Sequence, residues 1–250
     1  MNTPLSNLVF GRDEETQDLR RKLARRRPFL FHGPAGVGKT LLLRNLLPEF
    51  PDILYCENSQ ATLTVFRSLT EELLRRKSRR IVAAFRDAGS IKTKSAVSLK
   101  GIVMDALREA NYSVLLDHLN RPSHAFAAVV REVSGWGGTP VIAVARSCHM
   151  EDVGFLQSFY LDRSEKYELR NFDSELAGRF AREIARRRGL SALNVGEFLQ
   201  KSVEFSAGNP GALLALLKMG GHPKYRSADH IKIAPLYIDF RMNWSPAKIR

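Results

Sequence analysis

The chain has 250 residues, of which 44% are hydrophobic and 26% charged, the composition of an ordinary globular domain that buries a core. Its 39 basic and 26 acidic residues give a formal net charge of +13, which indicates either a polyanionic partner (nucleic acid or an acidic protein surface) or a generally basic, solvated surface. No segment reads as a signal peptide or as a membrane span of roughly 18 apolar residues, so we expect neither of these in the chain. We therefore expect a cytoplasmic location, no membrane partner, and buried free thiols at Cys56 and Cys148.

Short apolar runs alternate with longer amphipathic segments along the chain, which predicts an α/β fold with a five-stranded parallel sheet flanked by helices. The predicted strands are 28–32, 53–56, 112–116, 140–145 and 167–169. The predicted helices are 13–26, 39–47, 63–74, 97–110, 126–133, 174–188, 195–206 and 210–219, and residues 81–85 are predicted as a turn or a helix. Residues 89–95 are predicted as a loop and residues 135–138 as a turn.

This order of elements predicts three parts of the chain. An α/β nucleotide-binding core occupies 1–170 and a small helical lid occupies 171–220. A C-terminal extension occupies 221–250, in which the apolar residues 231–240 form either a strand or a tail docked on the domain.

A glycine-rich segment between the first strand and the next helix matches the pattern G-x-x-x-x-G-K-[ST] in full. Its glycines allow the backbone to fold around phosphates with N–H groups aimed inward, and the following helix adds its positive end. Lys39 is expected to reach the β-phosphate of ATP or ADP and the γ-phosphate of ATP, and the Thr40 hydroxyl to ligate Mg²⁺. The full match favours this over a glycine-rich turn with a chance lysine. The predicted nucleotide-binding residues of this segment are Gly33, Pro34, Ala35, Gly36, Val37, Gly38, Lys39, Thr40 and Leu41.

Two titratable residues follow the third predicted strand, where such a site needs a carboxylate to hold magnesium. Asp117 either ligates Mg²⁺ or caps the next element, and the neighbouring phosphate motif favours the first. His118 is either a catalytic base, since imidazole titrates near neutrality, or a non-catalytic residue.

With these motifs, the chain resembles the AAA+/STAND group of ATPases over about residues 8–218, particularly the small archaeal-type and origin-initiator-like members. In most AAA+ ATPases a glutamate that polarises water occupies the position of His118, so the resemblance leaves hydrolysis less supported than binding. The segment 8–15 is similar to the family's N-terminal motif, whose backbone lies against adenine. By that resemblance Val9 and Phe10 line the base pocket, and the alternative is a simple turn and helix cap.

Two further positions enter the predicted site through the same resemblance. Arg146 follows the fourth strand, where the family places a sensor of the γ-phosphate, with Ser147 as a neighbouring candidate; the alternative is an exposed basic residue. The segment 208–211 is similar to the Gly-x-Pro by which STAND proteins contact nucleotide from the lid, which adds Pro210, although it equally describes a helix start. Lys218 is the only cation from 211 to 219, so a second, ring-type arginine sensor is not expected.

Three functions fit these residues. The first is a nucleotide-dependent switch that hydrolyses ATP slowly, in which ATP orders the lid against the core through Lys39, Asp117 and Arg146. The second is an ATPase that assembles on DNA, and the third is a scaffold that binds nucleotide without hydrolysing it. The protein could also form a homo-oligomer, which the sequence neither indicates nor excludes. Arg163 and Arg170 are only two of many arginines that could act as an intersubunit arginine finger.

Overall fold

A computed structural model describes residues 9–244 of the chain except Asn58, Gln60 and Gly137. The chain divides into two compact units. The sheet unit consists of residues 14–33 and 43–168. The lid unit consists of residues 34–42 together with the described residues before 14 and after 168.

A parallel sheet forms the centre of the sheet unit. Its strands are β1 Phe29–His32, β2 Ile53–Cys56, β3 Ser113–Leu116, β4 Val141–Ala145 and β5 Lys166–Glu168. All four pairings are parallel, and the five strands lie in the order β2-β3-β4-β1-β5. Every residue of β1, β3 and β4 is buried, as expected for strands covered on both faces. The predicted five-stranded parallel sheet is confirmed.

Helices flank this sheet, and the apolar faces of several of them pack on it. The helices as far as β5 are α1 Asp13–Ala24, α2 Lys39–Leu46, α3 Thr62–Arg75, α4 Arg79–Ala84, α5 Ala88–Lys92, α6 Ala96–Ala110, α7 His124–Trp136 and α8 Met150–Val153. In α3 the buried residues Phe66, Leu69 and Leu73 recur at helical spacing and join one core with β3, β4, α6 and α7. None of the described helices is long and apolar enough to cross a membrane.

Two local predictions in this unit are wrong. The predicted loop 89–95 contains α5, because the Asp87 side chain accepts the N–H of Ser90 and caps a short helix that buries Ile91. The predicted turn 135–138 begins too early, because α7 runs on to Trp136 through Gly135. Cys56 is a buried free thiol as predicted, and burial raises its pKa to about 12, whereas Cys148 is only half-buried.

The lid unit is a helical bundle with its own core. Its elements are α9 Ser174–Arg187, α10 Val195–Ser206, α11 Pro210–Gly220, the antiparallel pair β6 Arg226–Ser227 and β7 His230–Ile231, and α12 Ile233–Asn243. Apolar side chains of α9, α10 and α11 meet in this core, among them Phe180, Phe198 and Leu213.

The C-terminal segment, predicted as either a strand or a tail docked on the domain, is largely helical and packs on the lid unit. Its apolar residues form the short strand β7 and the helix α12, and Leu236 and Phe240 enter the lid core. Pro235 lies in the first turn of α12, where a backbone N–H has no partner within the helix, so this proline starts the helix without breaking it. The predicted boundaries of core, lid and extension remain a prediction.

Candidate functional site

The predicted site residues fall in both units. The lid unit holds Val9, Phe10, Pro210 and the predicted residues from Pro34 to Leu41. The sheet unit holds Gly33, Asp117, His118 and Arg146.

The phosphate loop, residues 33–40, connects β1 to α2, as the motif requires. Gly36 has a φ of +82°, a backbone conformation that glycine adopts without strain. The N–H of Val37 donates to the carbonyl of Pro34 at 3.3 Å, and Nζ of Lys39 donates to the same carbonyl at 3.0 Å. The N–H of Gly36 has no hydrogen-bond partner among the residues that the structure describes. The loop thus presents a backbone donor that remains available to an anion.

The start of α11 bonds to two carbonyl groups of the phosphate loop. Nδ2 of Asn209 donates to the carbonyl oxygen of Ala35 at 2.9 Å, and the N–H of Gly211 donates to that of Gly36 at 3.0 Å. Oδ1 of Asn209 also accepts the N–H of Ala212 at 3.1 Å and so caps the helix. Pro210, the predicted lid contact, is the first residue of this helix, between the two donors.

The segment before α11 is held tightly to the chain that enters the lid. Gly208 has a φ of +71°, and a Cβ added there would lie 2.1 Å from the carbonyl oxygen of Phe172. The N–H of Phe172 in turn donates to the carbonyl of Gly208 at 2.9 Å. The guanidinium of Arg12 lies 4.4 Å from the ring centre of Phe172 and donates to the carbonyl of Arg170 at 2.6 Å. Only glycine fits at position 208.

The N-terminal motif therefore has a visible role in the packing of the lid unit. Arg12 is buried, and the ring of Phe10 packs edge-on against Phe180 at 5.5 Å between centres. Val9 is half-buried, whereas Leu8 lies outside the described residues. The adenine-binding roles of Val9 and Phe10 remain predictions.

In the sheet unit, Asp117 follows β3 and is almost fully buried at 1% exposure. Its Oδ2 accepts the Tyr55 hydroxyl at 2.8 Å, its Oδ1 accepts the N–H of His118 at 2.7 Å, and its own N–H donates to the carbonyl of Cys56. Burial and then the negative charge of Asp117 raise the pKa of Tyr55, so the phenol keeps its proton. The next helix begins only at His124, so Asp117 does not cap it.

His118 and Arg146 differ from Asp117 in their exposure. His118 has a φ of +55° and a side chain that is 51% exposed, with Nε2 at 3.8 Å from Oδ2 of Asp117. Arg146 is exposed after β4, and its side chain has no partner among the described residues. Ser147 is engaged locally, since its hydroxyl donates to Asp152 at 2.6 Å.

The carboxyl ends of the adjacent strands β3 and β4 bring Asp117 and Arg146 to one edge of the sheet. Asp117 follows β3 and Arg146 follows β4, while β1, next to β4, leads into the phosphate loop. The carboxyl edge of a parallel sheet is where such folds bind their ligands. Sequence reasoning missed Tyr55, Asn171 and Asn209; the position of Asn209 directly before a helix-starting proline was the one available signal.

Comparison with known proteins identifies a family match and several structural neighbours. The sequence model described as the AAA ATPase domain matches residues 8–149. No curated protein matches the chain.

The structural neighbours are archaeal proteins of low sequence identity, so they show the fold alone. A Walker-type ATPase of Pyrococcus abyssi matches with a TM-score of 0.55 and 16% identity, covering 96% of this chain and 69% of that one. The Orc1 protein of Aeropyrum pernix, solved in complex with DNA, matches with a TM-score of 0.63 and 14% identity, covering 94% and 66%. Cdc6p of Pyrobaculum aerophilum matches with a TM-score of 0.53 and 14% identity, covering 97% and 64%. The chain thus spans about two thirds of the length of these proteins.

The crowding at Gly208 predicts a stability difference between two glycine variants. Gly208→Ala places its Cβ 2.1 Å from a backbone carbonyl oxygen, which cannot turn aside as a flexible side chain can, so we expect a loss of about 3 kcal/mol or more in the free energy of unfolding. Gly189→Ala is the matched control, because Gly189 has a φ of +61° with no atom within 4 Å of an added Cβ. It should lose only the left-handed backbone cost of about 1 kcal/mol. Urea unfolding followed by circular dichroism measures both, and equal losses would contradict the crowding.

Proposed function

Because the chain belongs to the family of AAA ATPase domains, we propose that it binds ATP with Mg²⁺ and acts as a nucleotide-dependent switch that hydrolyses ATP slowly. The observation that carries this proposal is the phosphate loop, in which the N–H of Gly36 is available and Lys39 and Thr40 open α2. The start of a helix also carries the positive end of the helix dipole, which favours a phosphate. ADP is the expected product and competing ligand.

The side chains fit the proposed nucleotide and metal. The ammonium of Lys39 suits the β- and γ-phosphates, whereas the hydroxyl of Thr40 and the carboxylate of Asp117 are the oxygen ligands that Mg²⁺ prefers. The Tyr55 hydroxyl orients the Asp117 carboxylate, as outer-shell partners of metal ligands do. Magnesium would supply charge neutralisation of the phosphates. We assign recognition of the γ-phosphate to Arg146.

Removal of the Lys39 ammonium tests the binding proposal. We expect wild-type protein to bind Mg²⁺–ATP and Mg²⁺–ADP in a calorimeter, and Lys39→Ala to bind ATP about 100-fold more weakly, because a charge-assisted contact to phosphate is lost. Lys218→Ala is the matched control, since Lys218 lies in the last turn of α11, away from its start. Folded wild-type protein that gives no heat with either nucleotide would refute the proposal.

His118 carries the proposed hydrolysis step as the base that takes a proton from the attacking water. Its imidazole lies beside Asp117 and has access to water because it is partly exposed. We expect His118→Ala to slow phosphate release about 100-fold in a single turnover at saturating ATP, without a loss of ATP affinity. His230→Ala, an exposed histidine of β7, should leave the rate unchanged. Rapid wild-type turnover that His118→Ala leaves untouched would refute histidine as the base and favour another residue in this role.

The charge of +13 favours a second function, in which the ATPase also binds nucleic acid. Several of the clustered basic residues form ion pairs with acidic side chains. These pairs are Arg20 with Glu49, Arg26 with Asp52, Arg75 and Arg76 with Glu72, Arg80 with Glu109, and Arg186 and Arg187 with Glu183. Others have no ion-pair partner in the described part of the chain, namely Arg25, Arg27, Lys77, Arg79 and Arg188. These unpaired cations are the ones a phosphate backbone would use, and the Orc1 neighbour was solved with DNA.

Filter binding at several salt concentrations, with ATP present, tests this second function. We expect duplex DNA to bind at low salt and to dissociate steeply as salt rises. The double variant Arg25→Gln, Arg27→Gln should lower the slope of log K against log salt by up to about 2, one for each lost phosphate contact. The control Arg186→Gln, Arg187→Gln removes cations already paired with Glu183. Absence of duplex and single-strand binding at low salt would eliminate the function.

A further inference from the structure

The start of α11 has no charged group with which to reach a nucleotide phosphate. Lys218, the only cation of α11, lies in its last turn, about 12 Å along the axis from Pro210. The same helix start instead bonds directly to the phosphate loop, through Asn209 and Gly211. We propose that Asn209 is a positioning residue that clamps the phosphate loop in its nucleotide-binding conformation and thereby couples nucleotide binding to the lid. This inference rests on the proposed binding of ATP.

The geometry of the peptide group explains how a lid residue acts on phosphate donors that it does not touch. A trans peptide is planar, and its C=O and N–H point in opposite directions. When Asn209 holds the carbonyl of Ala35, it fixes the plane that carries the N–H of Gly36 and directs that N–H to the opposite side. This is the N–H without a partner among the described residues. The clamp therefore aims a donor at the position of a phosphate.

The next peptide group of the loop is held in the same way. The N–H of Gly211 donates to the carbonyl of Gly36 at 3.0 Å, which fixes the plane that carries the N–H of Val37. That N–H now makes a long bond of 3.3 Å to Pro34. Gly36 itself has the weak backbone restraint of a glycine, so both peptide planes would rotate more freely without the lid contacts.

Asparagine has the donors and the acceptor that all three side-chain hydrogen bonds at position 209 require. Its amide offers one acceptor and two N–H donors, and the structure uses all of them. The acceptor caps α11 at Ala212, while Nδ2 donates to Ala35 at 2.9 Å and to Oδ1 of Asn171 at 3.1 Å. Asn171 is oriented by its own bond to the carbonyl of Ala207 at 3.1 Å. Serine or aspartate would cap the helix equally well, but aspartate has no donor for Ala35, and serine has a single, shorter hydroxyl in place of the two N–H donors of the amide.

Coupling through this clamp is reciprocal. If the loop conformation that binds phosphate is the one that bonds to Asn209, then each contact stabilises the other by the same free energy. Nucleotide should therefore hold the start of α11 in place, and displacement of α11 should weaken nucleotide binding. The coupling needs no charged lid sensor, in agreement with the composition of α11.

Substitution of Asn209 by residues that keep the helix cap tests the clamp. We expect Asn209→Ser to bind Mg²⁺–ATP about 10-fold more weakly in calorimetry, with Asn209→Asp weakened at least as much because its carboxylate faces a carbonyl. In wild-type protein, Mg²⁺–ATP should slow amide hydrogen exchange in the first turn of α11, and in Asn209→Ser this nucleotide-dependent slowing should be lost. A purely structural residue would change exchange with and without nucleotide alike. Should the serine variant fail to fold, the aspartate variant carries the test, since a carboxylate caps a helix as well as an amide.

The matched control is another asparagine of the lid unit. Asn194 makes two bonds of 2.9 Å to the backbone of Ile231, so Asn194→Ser removes a comparable pair of contacts that does not involve the phosphate loop. It should lower stability while it leaves ATP affinity unchanged.

The clamp would be overturned if both Asn209 variants bound ATP as tightly as wild-type protein and showed the same nucleotide-dependent slowing of amide exchange. The proposal that the protein binds ATP would not be affected by that result. An equal loss of affinity in Asn194→Ser would overturn the clamp too, because general destabilisation would then explain the effect. A wild-type protein that binds no nucleotide would fail the proposed function itself, and the clamp with it.

Discussion

The orientation of the peptide groups in the phosphate loop is the constraint on which the rest of this site depends. A backbone that presents N–H groups to an anion on one side must present carbonyl groups on the other, because each peptide is planar and trans. Those carbonyls need donors of their own when they are removed from water. In this protein the donors for Ala35 and Gly36 come from the start of α11. The loop and the lid are therefore parts of one hydrogen-bonded arrangement.

At the carboxyl edge of the sheet, a candidate site residue is likewise held by its neighbours. Asp117 is buried and receives donors from Tyr55 on the adjacent strand and from the backbone of His118. His118 adopts a left-handed backbone, which costs a non-glycine residue free energy and persists only where surrounding contacts impose it. A buried, hydrogen-bonded acid beside an exposed imidazole suits the roles proposed above, in which Asp117 ligates Mg²⁺ and His118 meets water.

The sequence predicts the parts of this protein that depend on neighbours along the chain. The phosphate loop, the strands and the position of Asp117 after β3 follow from local pattern, because apolar runs and turn residues act over a few positions. The contacts that hold the site do not follow from local pattern. Asn209 lies 174 residues from Ala35, and Tyr55 lies 62 residues from Asp117. The helix α12 was missed for another reason, since its proline falls in the first turn, where it is tolerated.

The segment 208–211 illustrates how one short stretch meets several constraints together. Gly208 permits the close approach of the Phe172 carbonyl, Asn209 joins the helix cap to the loop, and Pro210 sets the first helical residue. Each residue type is dictated by a different contact. A Gly-x-Pro pattern alone describes only a helix start. In this protein the middle residue, Asn209, adds a side-chain donor that bonds to the phosphate loop. In the proposed clamp, this donor couples the lid to the loop without an arginine.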